Sequence, residues 1–304
     1  MNVVRTEVAR ELLLARAPGD PTPAHVSAAS GLVVSGAWLY VVVDDEAGLG
    51  VFRHGSDDPG RLLRLPGEPL PHDPVARKKA KPDLEALCVL PPHDGAPEGA
   101  LLGLGSGSAA PRQRGFHWPL DAHGALRGEA QPVELAPLYE ELRRHFAQLN
   151  VEGATVCGDE LLIAQRGNSA EGINAIVVLD LAAVLDGLAG DRELRAEGLR
   201  AIERHELPDL NGVPATFTDL VALPDGRVAY AACAEATDDP VRDGEFVGAV
   251  VGVLGGAAAA LQPAHKVEGV FPLGGGDGVV ELLLVADADD RAIPAPLLRA
   301  RLDG

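Results

Sequence analysis

The sequence predicts an all-β chain folded as one β-propeller of five four-stranded blades, a single domain over residues 1–304. Three observations predict it. A polar, usually acidic residue recurs where an apolar, strand-like run begins. The runs that follow come in sets of four joined by turn residues. A strand-like segment near the start of the chain supplies the one strand that the last set lacks.

The recurrence is clearest in "KPDLEALCVL" (81–90), where Glu85 stands between Leu84 and Ala86 at the head of a buried-looking run. A carboxylate there is costly unless it is paired, metal-bound or hydrated. "LNVEGATVCG" repeats the pattern with Glu152, "HKVEGVFPLG" with Glu268 and "TFTDLVALPDG" with Asp219, while "AASGLVVSGAWLYVVV" puts Ser30 in the corresponding place. From Ser30 onward the spacings are 55, 67, 67 and 49 residues, an internal repeat with long, uneven connections.

The elements follow in order. The first blade reads "SGLVVSG", "WLYVVVDD", "GLGVFRH" and "GRLLRLPG". The second reads "EALCVLP", "ALLGLGSG", "RGFHWPLD" and "QPVELAPL". Next, "LYEELRRHFAQLN" spaces Leu138, Leu142, Phe146 and Leu149 as a helical stripe, which predicts a surface helix between blades two and three. The third blade runs "VEGATV", "ELLIAQ", "NAIVVLDL" and "LRAIERHEL", with one helical turn in the insertion before its last strand. The fourth has "DLVALPD", "RVAYAACAE", "FVGAVVGVL" and a weaker strand near "AAALQPAHK". The fifth has only "EGVFPLG", "VELLLVADAD" and "APLLRARL", and "NVVRTEVARELLLA" is expected to complete it, closing the ring and removing a bare sheet edge. A sixth blade would need to hide in an insertion. A β-sandwich pair, the structural alternative, leaves the recurrent carboxylates unexplained.

Composition bounds the partners. Apolar residues make up 46% of the chain, enough for a large core, and the formal charge is −19. Such a surface repels nucleic acid and anionic membranes and suits a metal ion or cationic ligand, besides keeping the protein in solution. Cys88, Cys157 and Cys233 all fall in apolar strand-like runs without CxxC spacing, so they are expected as buried free thiols of a reducing compartment. The first residues show no signal-like apolar segment and no stretch reaches the length of a membrane span, so a cytoplasmic protein is expected.

In a propeller the first strand of each blade lines the central channel. The chain enters that strand on the same face where the second strand ends. The second-strand ends are polar here: Asp44, Asp45 and Glu46; Ser106, Ser108, Arg112 and Arg114; Gln165, Arg166 and Asn168; Glu235, Thr237, Asp238 and Asp239; Asp287, Asp289, Asp290 and Arg291. With Ser30, Glu85, Glu152, Asp219 and Glu268 they should form one crowded polar mouth. Crowded carboxylates need compensation. A hard cation such as Ca²⁺ could be held by Glu85, Glu152, Asp219 and Glu268. Arginines could pair with them. Alternatively, each carboxylate ties its blade to backbone N–H groups of the next. All three readings stay open.

The stretches "KPDLEAL", "LNVEGA", "FTDLVALPDG", "KVEGV" and "GSGSAAPRQRG" resemble an uncharacterised bacterial propeller family, itself distantly similar to phytase-like esterase propellers, whose blades begin with D-x-E-G. The likeness runs from about Ser30 to Asp290 and implies the fold, with hydrolysis of esters or phosphoesters as the activity of its relatives. Ser30 and Asp219 depart from the E-G pattern.

Other motifs are lacking. "GLGSGS" has no Lys-Ser/Thr of a P-loop, Ser106 is not in a G-x-S-x-G elbow, and no H-E-x-x-H is present. His25, His117 and His265 are weak candidates for the mouth. The expected function is a metal-assisted hydrolase of a small ester, lactone or phosphoester. In it Glu85, Glu152 and Glu268 hold the cation, Asp219 and Glu152 are ligand or base, and Arg112, Arg114, Arg166, Asn168, Ser106 and Glu235 bind the substrate. A non-catalytic propeller that binds a small molecule or protein in its mouth is the alternative.

Overall fold

In the computed structural model, which describes residues 1–17, 19, 23–68, 70, 71, 73–236, 244–276 and 278–303, the predicted strands pair as five antiparallel meanders. Blade 1 comprises Ala29–Ser35, Trp38–Val43, Gly48–Arg53 and Arg61–Arg64. Blade 2 comprises Leu84–Leu90, Ala100–Gly105, Arg114–Pro119 and Gln131–Glu134, and blade 3 Val151–Cys157, Glu160–Gln165, Asn174–Asp180 and Leu199–His205. Val213–Ala222, Val228–Ala236, Glu245–Val253 and Ala258–Gln262 form blade 4. Blade 5 takes Lys266–Gly276, Val279–Asp287 and Pro296–Asp303, with Glu7–Glu11 as its outer strand. The first strands touch one another in chain order and the fifth returns to the first, so the ring is a five-bladed β-propeller.

Each sheet is covered on both faces by its neighbours. That is why its strands read as continuous aliphatic runs rather than alternating ones. Five apolar clusters fill the five spaces between blades. Tyr40, Leu87 and Trp118 join blades 1 and 2, and Leu104, Val151 and Ile163 join blades 2 and 3. Leu162, Phe217 and Tyr230 join blades 3 and 4, Val251, Val270 and Leu284 blades 4 and 5, and Leu32, Val41 and Leu283 close the ring between 5 and 1.

The N-terminal segment closes the ring as expected, but as two strands rather than one. Asn2–Arg5 lies parallel to the outer strand of blade 4, Asn2 opposite Ala259. At Thr6 the chain crosses over, its N–H donating to Gln262 O at 3.0 Å, and Glu7–Glu11 then pairs antiparallel with Pro296–Asp303. Beyond it Leu12 and Leu14 are buried in the cluster between blades 5 and 1. One segment therefore clamps two blades.

Among the described residues three short α-helices interrupt the meanders. Helix α1 (Pro74–Ala80), which the sequence did not predict, links blades 1 and 2; Asp73 caps it by accepting from Ala76 N at 2.8 Å. Helix α2 (Ala136–Leu142) stops earlier than its apolar stripe, and Phe146 and Leu149 follow in the irregular chain beyond it. It is a wedge rather than a surface helix: Leu138, Tyr139, Leu142, Phe146 and Leu149 are all buried between blades 2 and 3. Helix α3 (Leu181–Ala189), capped by Asp180, is longer than the single turn expected there.

Cys88 and Cys233 are buried free thiols, and burial pushes Cys88 up to about 12 and Cys233 well above the ordinary thiol value. Cys157 departs from the expectation. It ends its strand beside the Gly158 turn and is only half-buried. A thiol reagent should therefore label one cysteine quickly in the native protein and the other two only on denaturation; mass mapping that finds Cys88 or Cys233 labelled early would contradict their placement. Deleting residues 1–11 should expose the edges of blades 4 and 5 together and abolish soluble folded protein. A truncated protein with an unchanged melting temperature would show that the clamp is dispensable.

Candidate functional site

The recurrent acidic residue has a single local cause. In every blade the ladder between the first and second strands slips by one residue at the same place. Leu84 pairs with Gly105 and Ala86 with Leu104, leaving Glu85 outside the register. Val151/Gly153 leaves out Glu152, and Val267/Gly269 leaves out Glu268. A β-bulge of this kind re-aims one side chain and bends the strand. Here it takes a carboxylate off the apolar interface between blades.

The bulge also corrects the sequence alignment in blade 4. The residue left out of register there is Thr218, so Asp219 is a neighbour of the bulge rather than a member of the set. In blade 1 the register slips at Gly31, and Ser30 beside it lines the mouth where blades 2, 3 and 5 place a glutamate. Thr218 donates to Val267 O at 2.7 Å. Asp219 is fully buried; Oδ1 accepts from its neighbour Leu220 N and Oδ2 from Val270 N in blade 5, both at 2.8 Å. Burial raises its pKa against the lowering effect of those bonds. Asp219 does not line the mouth, so the expected base and metal ligand there is a tie between blades. The glycine after Glu152 and Glu268 has a packing cause: a Cβ on Gly153 would lie 2.8 Å from Asp219 Cα, and one on Gly269 3.1 Å from backbone atoms of Gly31 and Leu32.

The mouth is a cavity of about 330 Å³. Its described lining carries Asp44, Asp45, Asp83, Glu85, Glu152, Glu235, Glu268, Asp287, Asp289 and Asp290 against Arg77, Lys81, Arg112, Arg166, Lys266 and Arg291. Two networks divide it. In the first, Arg166 reaches Glu235 at 2.8 Å, Glu152 at 3.5 Å and Glu268 at 3.9 Å, while its Nε donates to Thr216 at 3.1 Å. Lys266 bridges Glu235 at 3.2 Å and Asp289 at 2.9 Å, and Asn150 donates to Glu152 at 2.6 Å. In the second, Lys81 pairs with Asp44 and, at 3.1 Å, with Asp83. Asp83 also accepts from Arg112 and from Ser106, each at 2.6 Å. On the rim Glu46 binds Arg291 at 2.9 Å and Arg64 and Arg77 at 3.3 Å.

Asp44 Oδ1 and Glu235 Oε1 are buried without a hydrogen-bond partner, the latter 3.2 Å from the Lys266 ammonium, and Glu85 alone among the described lining carboxylates makes neither a hydrogen bond nor an ion pair. Burial, then Asp44, Asp83 and Glu152, push Glu85 well above the carboxylate range. Burial holds Asp44 and Glu152 at about 7 despite Lys81 and Arg166 respectively. For Lys81, Arg166 and Lys266 burial opposes the charge, but the surrounding carboxylates outweigh it and raise all three. Oxygens of Asp44, Asp83 and Glu85 lie within 4.8 Å of one another, a spacing that suits a hard cation, although the Lys81 ammonium already contacts the two aspartates.

Of the residues expected at the mouth, Glu85, Glu152, Glu268, Arg112, Arg166, Asn168 and Glu235 line it. Ser106 stands behind Asp83. Arg114 is exposed at a strand start outside the cavity, and His25, His117 and His265 are also outside its lining. Thr237, Asp238 and Asp239 lie outside the described residues. Sequence reasoning passed over Arg77 and Lys81, brought in by helix α1 and the residue after it, and Asp83, Asn150 and Lys266. A signal for the last three existed. Each stands two residues before a bulge glutamate, in "DLE", "NVE" and "KVE".

Fold and mouth together define a five-bladed propeller with a carboxylate-rich, cation-laced cup at one end of its channel. The chain belongs to the family described as "Family of unknown function (DUF6929)", whose model matches residues 25–302. No functionally curated protein matches it. Among solved structures it is similar to a glutaminyl cyclase of Myxococcus xanthus, at 13% identity, TM-score 0.47 and coverage of 100% of this chain and 99% of that one. It is also similar to the PQQ-bound form of an aldose sugar dehydrogenase of Streptomyces coelicolor, at 13% identity, TM-score 0.45 and 97% of both chains. A gluconolactonase of Xanthomonas campestris is similar at 13% identity and TM-score 0.38, over 90% of this chain and 71% of that one. At these identities the likeness concerns the fold alone. Among the described residues no helix is long and apolar enough to cross a membrane.

The mouth makes stability depend on pH. Burial raises Asp44 and Glu152 to about 7 and Asp287 to about 6, all above the unfolded carboxyl value of about 4. A carboxyl with a raised folded pKa favours the fold while protonated, and that advantage is lost as pH rises through the folded value. Thermal melts should therefore show higher stability near pH 5 than near pH 8. A melting temperature that rises across that window would contradict the assigned directions.

Proposed function

We propose that the protein is a hydrolase of a small ester or lactone, working at the channel mouth by carboxyl acid–base chemistry. One observation carries the reading: Glu85 faces the cavity with no partner and a strongly raised pKa. Perturbed titratable groups in a cleft mark acid–base sites. Glu85, whose protonated form is favoured by burial and by the neighbouring carboxylates, is the proton donor to the leaving oxygen. Glu152, at about 7 and close enough for its charge to raise Glu85, is the base that takes a proton from the attacking water. Asn150 and Arg166 position Glu152. The lining cations are engaged by carboxylates, which favours an uncharged or cationic substrate over a phosphoester.

A bound Ca²⁺ is a second reading, favoured by the unpartnered Asp44 Oδ1 beside Asp83 and Glu85. These three would hold the ion, Lys81 would have to turn away, and the ion would polarise the substrate carbonyl.

Glu85→Gln decides between them. Under acid–base chemistry it should fold, bind substrate and lose about 10²–10⁴-fold in kcat, the usual contribution of a positioned acid or base. Under the metal reading Ca²⁺ should raise the melting temperature of wild type and not of the variant. A panel of small esters and lactones that stabilise the protein without being turned over would replace hydrolysis with simple binding.

A further inference from the structure

Outside the mouth, on blade 2, two histidines meet head to head. His93 lies in the loop after the first strand, and His117 lies inside the third strand and is almost fully buried. Their Nε2 atoms are 3.1 Å apart, with ring planes at 69°. The loop is held by two backbone bonds, His93 N to Ala96 O at 3.1 Å and Ala96 N to His93 O at 2.9 Å, so His93 is presented by a closed turn. This end of the blade is opposite the mouth, which lies where first strands begin and second strands end.

The proton count at this contact is informative. His93 Nδ1 is 2.8 Å from Pro91 O. A carbonyl only accepts, so Nδ1 carries the hydrogen and the neutral ring presents a lone pair at Nε2. Gln131 lies directly across the ladder from His117, and its Oε1 accepts from Arg192 Nε at 3.1 Å. The His117 Nε2 that faces the His93 lone pair either donates a proton to it or shares a cation with it. A tetrahedral ion bound by two imidazoles at about 2.0–2.1 Å sets their nitrogens about 3.3 Å apart, near the observed separation. A backbone acceptor on the remote nitrogen, as Pro91 O is for His93, is also the usual second layer of a histidine metal site.

We propose that His93 and His117 form a site for a borderline transition-metal ion of the Zn²⁺ type, with solvent completing its coordination. Imidazole pairs select such ions over Ca²⁺ or Mg²⁺, which take oxygen ligands. The site is independent of the mouth and of hydrolysis. Burial, and then His93, lower His117 to about 4, so its ring is neutral and ready to bind at physiological pH.

Calorimetric titration of the metal-free protein with Zn²⁺ at pH 7.5 tests this, with Co²⁺ as a spectroscopic substitute. The expected result is one saturable site that weakens as pH falls and protons compete for the nitrogens. It should weaken by at least about tenfold in His93→Ala and in His117→Gln, as loss even of a supporting residue commonly does. It should remain in Glu85→Gln, which separates it from any ion in the mouth. His93 is half-buried on a turn, so His93→Ala keeps the test valid if the buried variant fails to fold. Absence of saturable binding, or binding that His93→Ala leaves unchanged, overturns the proposal; a shared proton then explains the contact.

Discussion

The β-bulge near the start of each first strand is the constraint on which the rest depends. Without the extra residue, period-two alternation would send Glu85, Glu152 and Glu268 into the apolar spaces between blades or displace the residues that fill them. With it, the strand keeps its aliphatic set in register while one polar side chain leaves the ladder. The same slip brings the next residue against the neighbouring blade, which is why glycine follows two of the three glutamates. Blade 4 uses the device differently. Thr218 and Asp219 turn their polar atoms onto the backbone of blade 5, and the bulge becomes a seam.

Bringing carboxylates from several blades to one cup creates an electrostatic cost that only internal cations offset. Arg166 is the central one, touching glutamates of blades 3, 4 and 5, and Lys266 overlaps it on Glu235. A buried cation of this kind and the carboxylates around it set one another's charge. The network therefore behaves as a unit. Lys81 repeats the arrangement on the opposite side with Asp44 and Asp83, and Asp83 holds a left-handed backbone, φ 54°, to reach it.

Much of the ring was legible in the sequence because repetition and apolar patterning are local signals. Blade count, strand order and closure by the N-terminus all follow from runs that can be read one at a time. The bulge was visible only by its consequence, a carboxylate beside an apolar run. For that reason Asp219 was aligned one residue away from the bulge, since nothing in "FTDL" says which residue leaves the ladder. Arg77 and Lys81 were missed for another reason. They come from a linker helix, "PVARKKA", and the residue that follows it, which look like any solvated basic turn until they are placed over the channel. Asp83, Asn150 and Lys266 were within reach, because their spacing to the glutamate recurs even though their identities do not.

The asymmetry of the repeat then decides where chemistry is available. Blades 3, 4 and 5 meet at Arg166 and Lys266, and their glutamates are all engaged. Blades 1 and 2 meet at Lys81, a single ammonium for Asp44, Asp83 and Glu85. Arg112 takes up part of Asp83, which leaves Asp44 Oδ1 and the whole of Glu85 facing the cavity. A perfectly symmetric ring would spread this imbalance evenly and no carboxyl would stand out. In blade 1 Ser30 lines the cup where blades 2, 3 and 5 place a glutamate, so no carboxylate from that strand entry competes for charge beside Glu85. The sequence irregularity that weakens the repeat is thus the feature that gives the mouth one reactive edge.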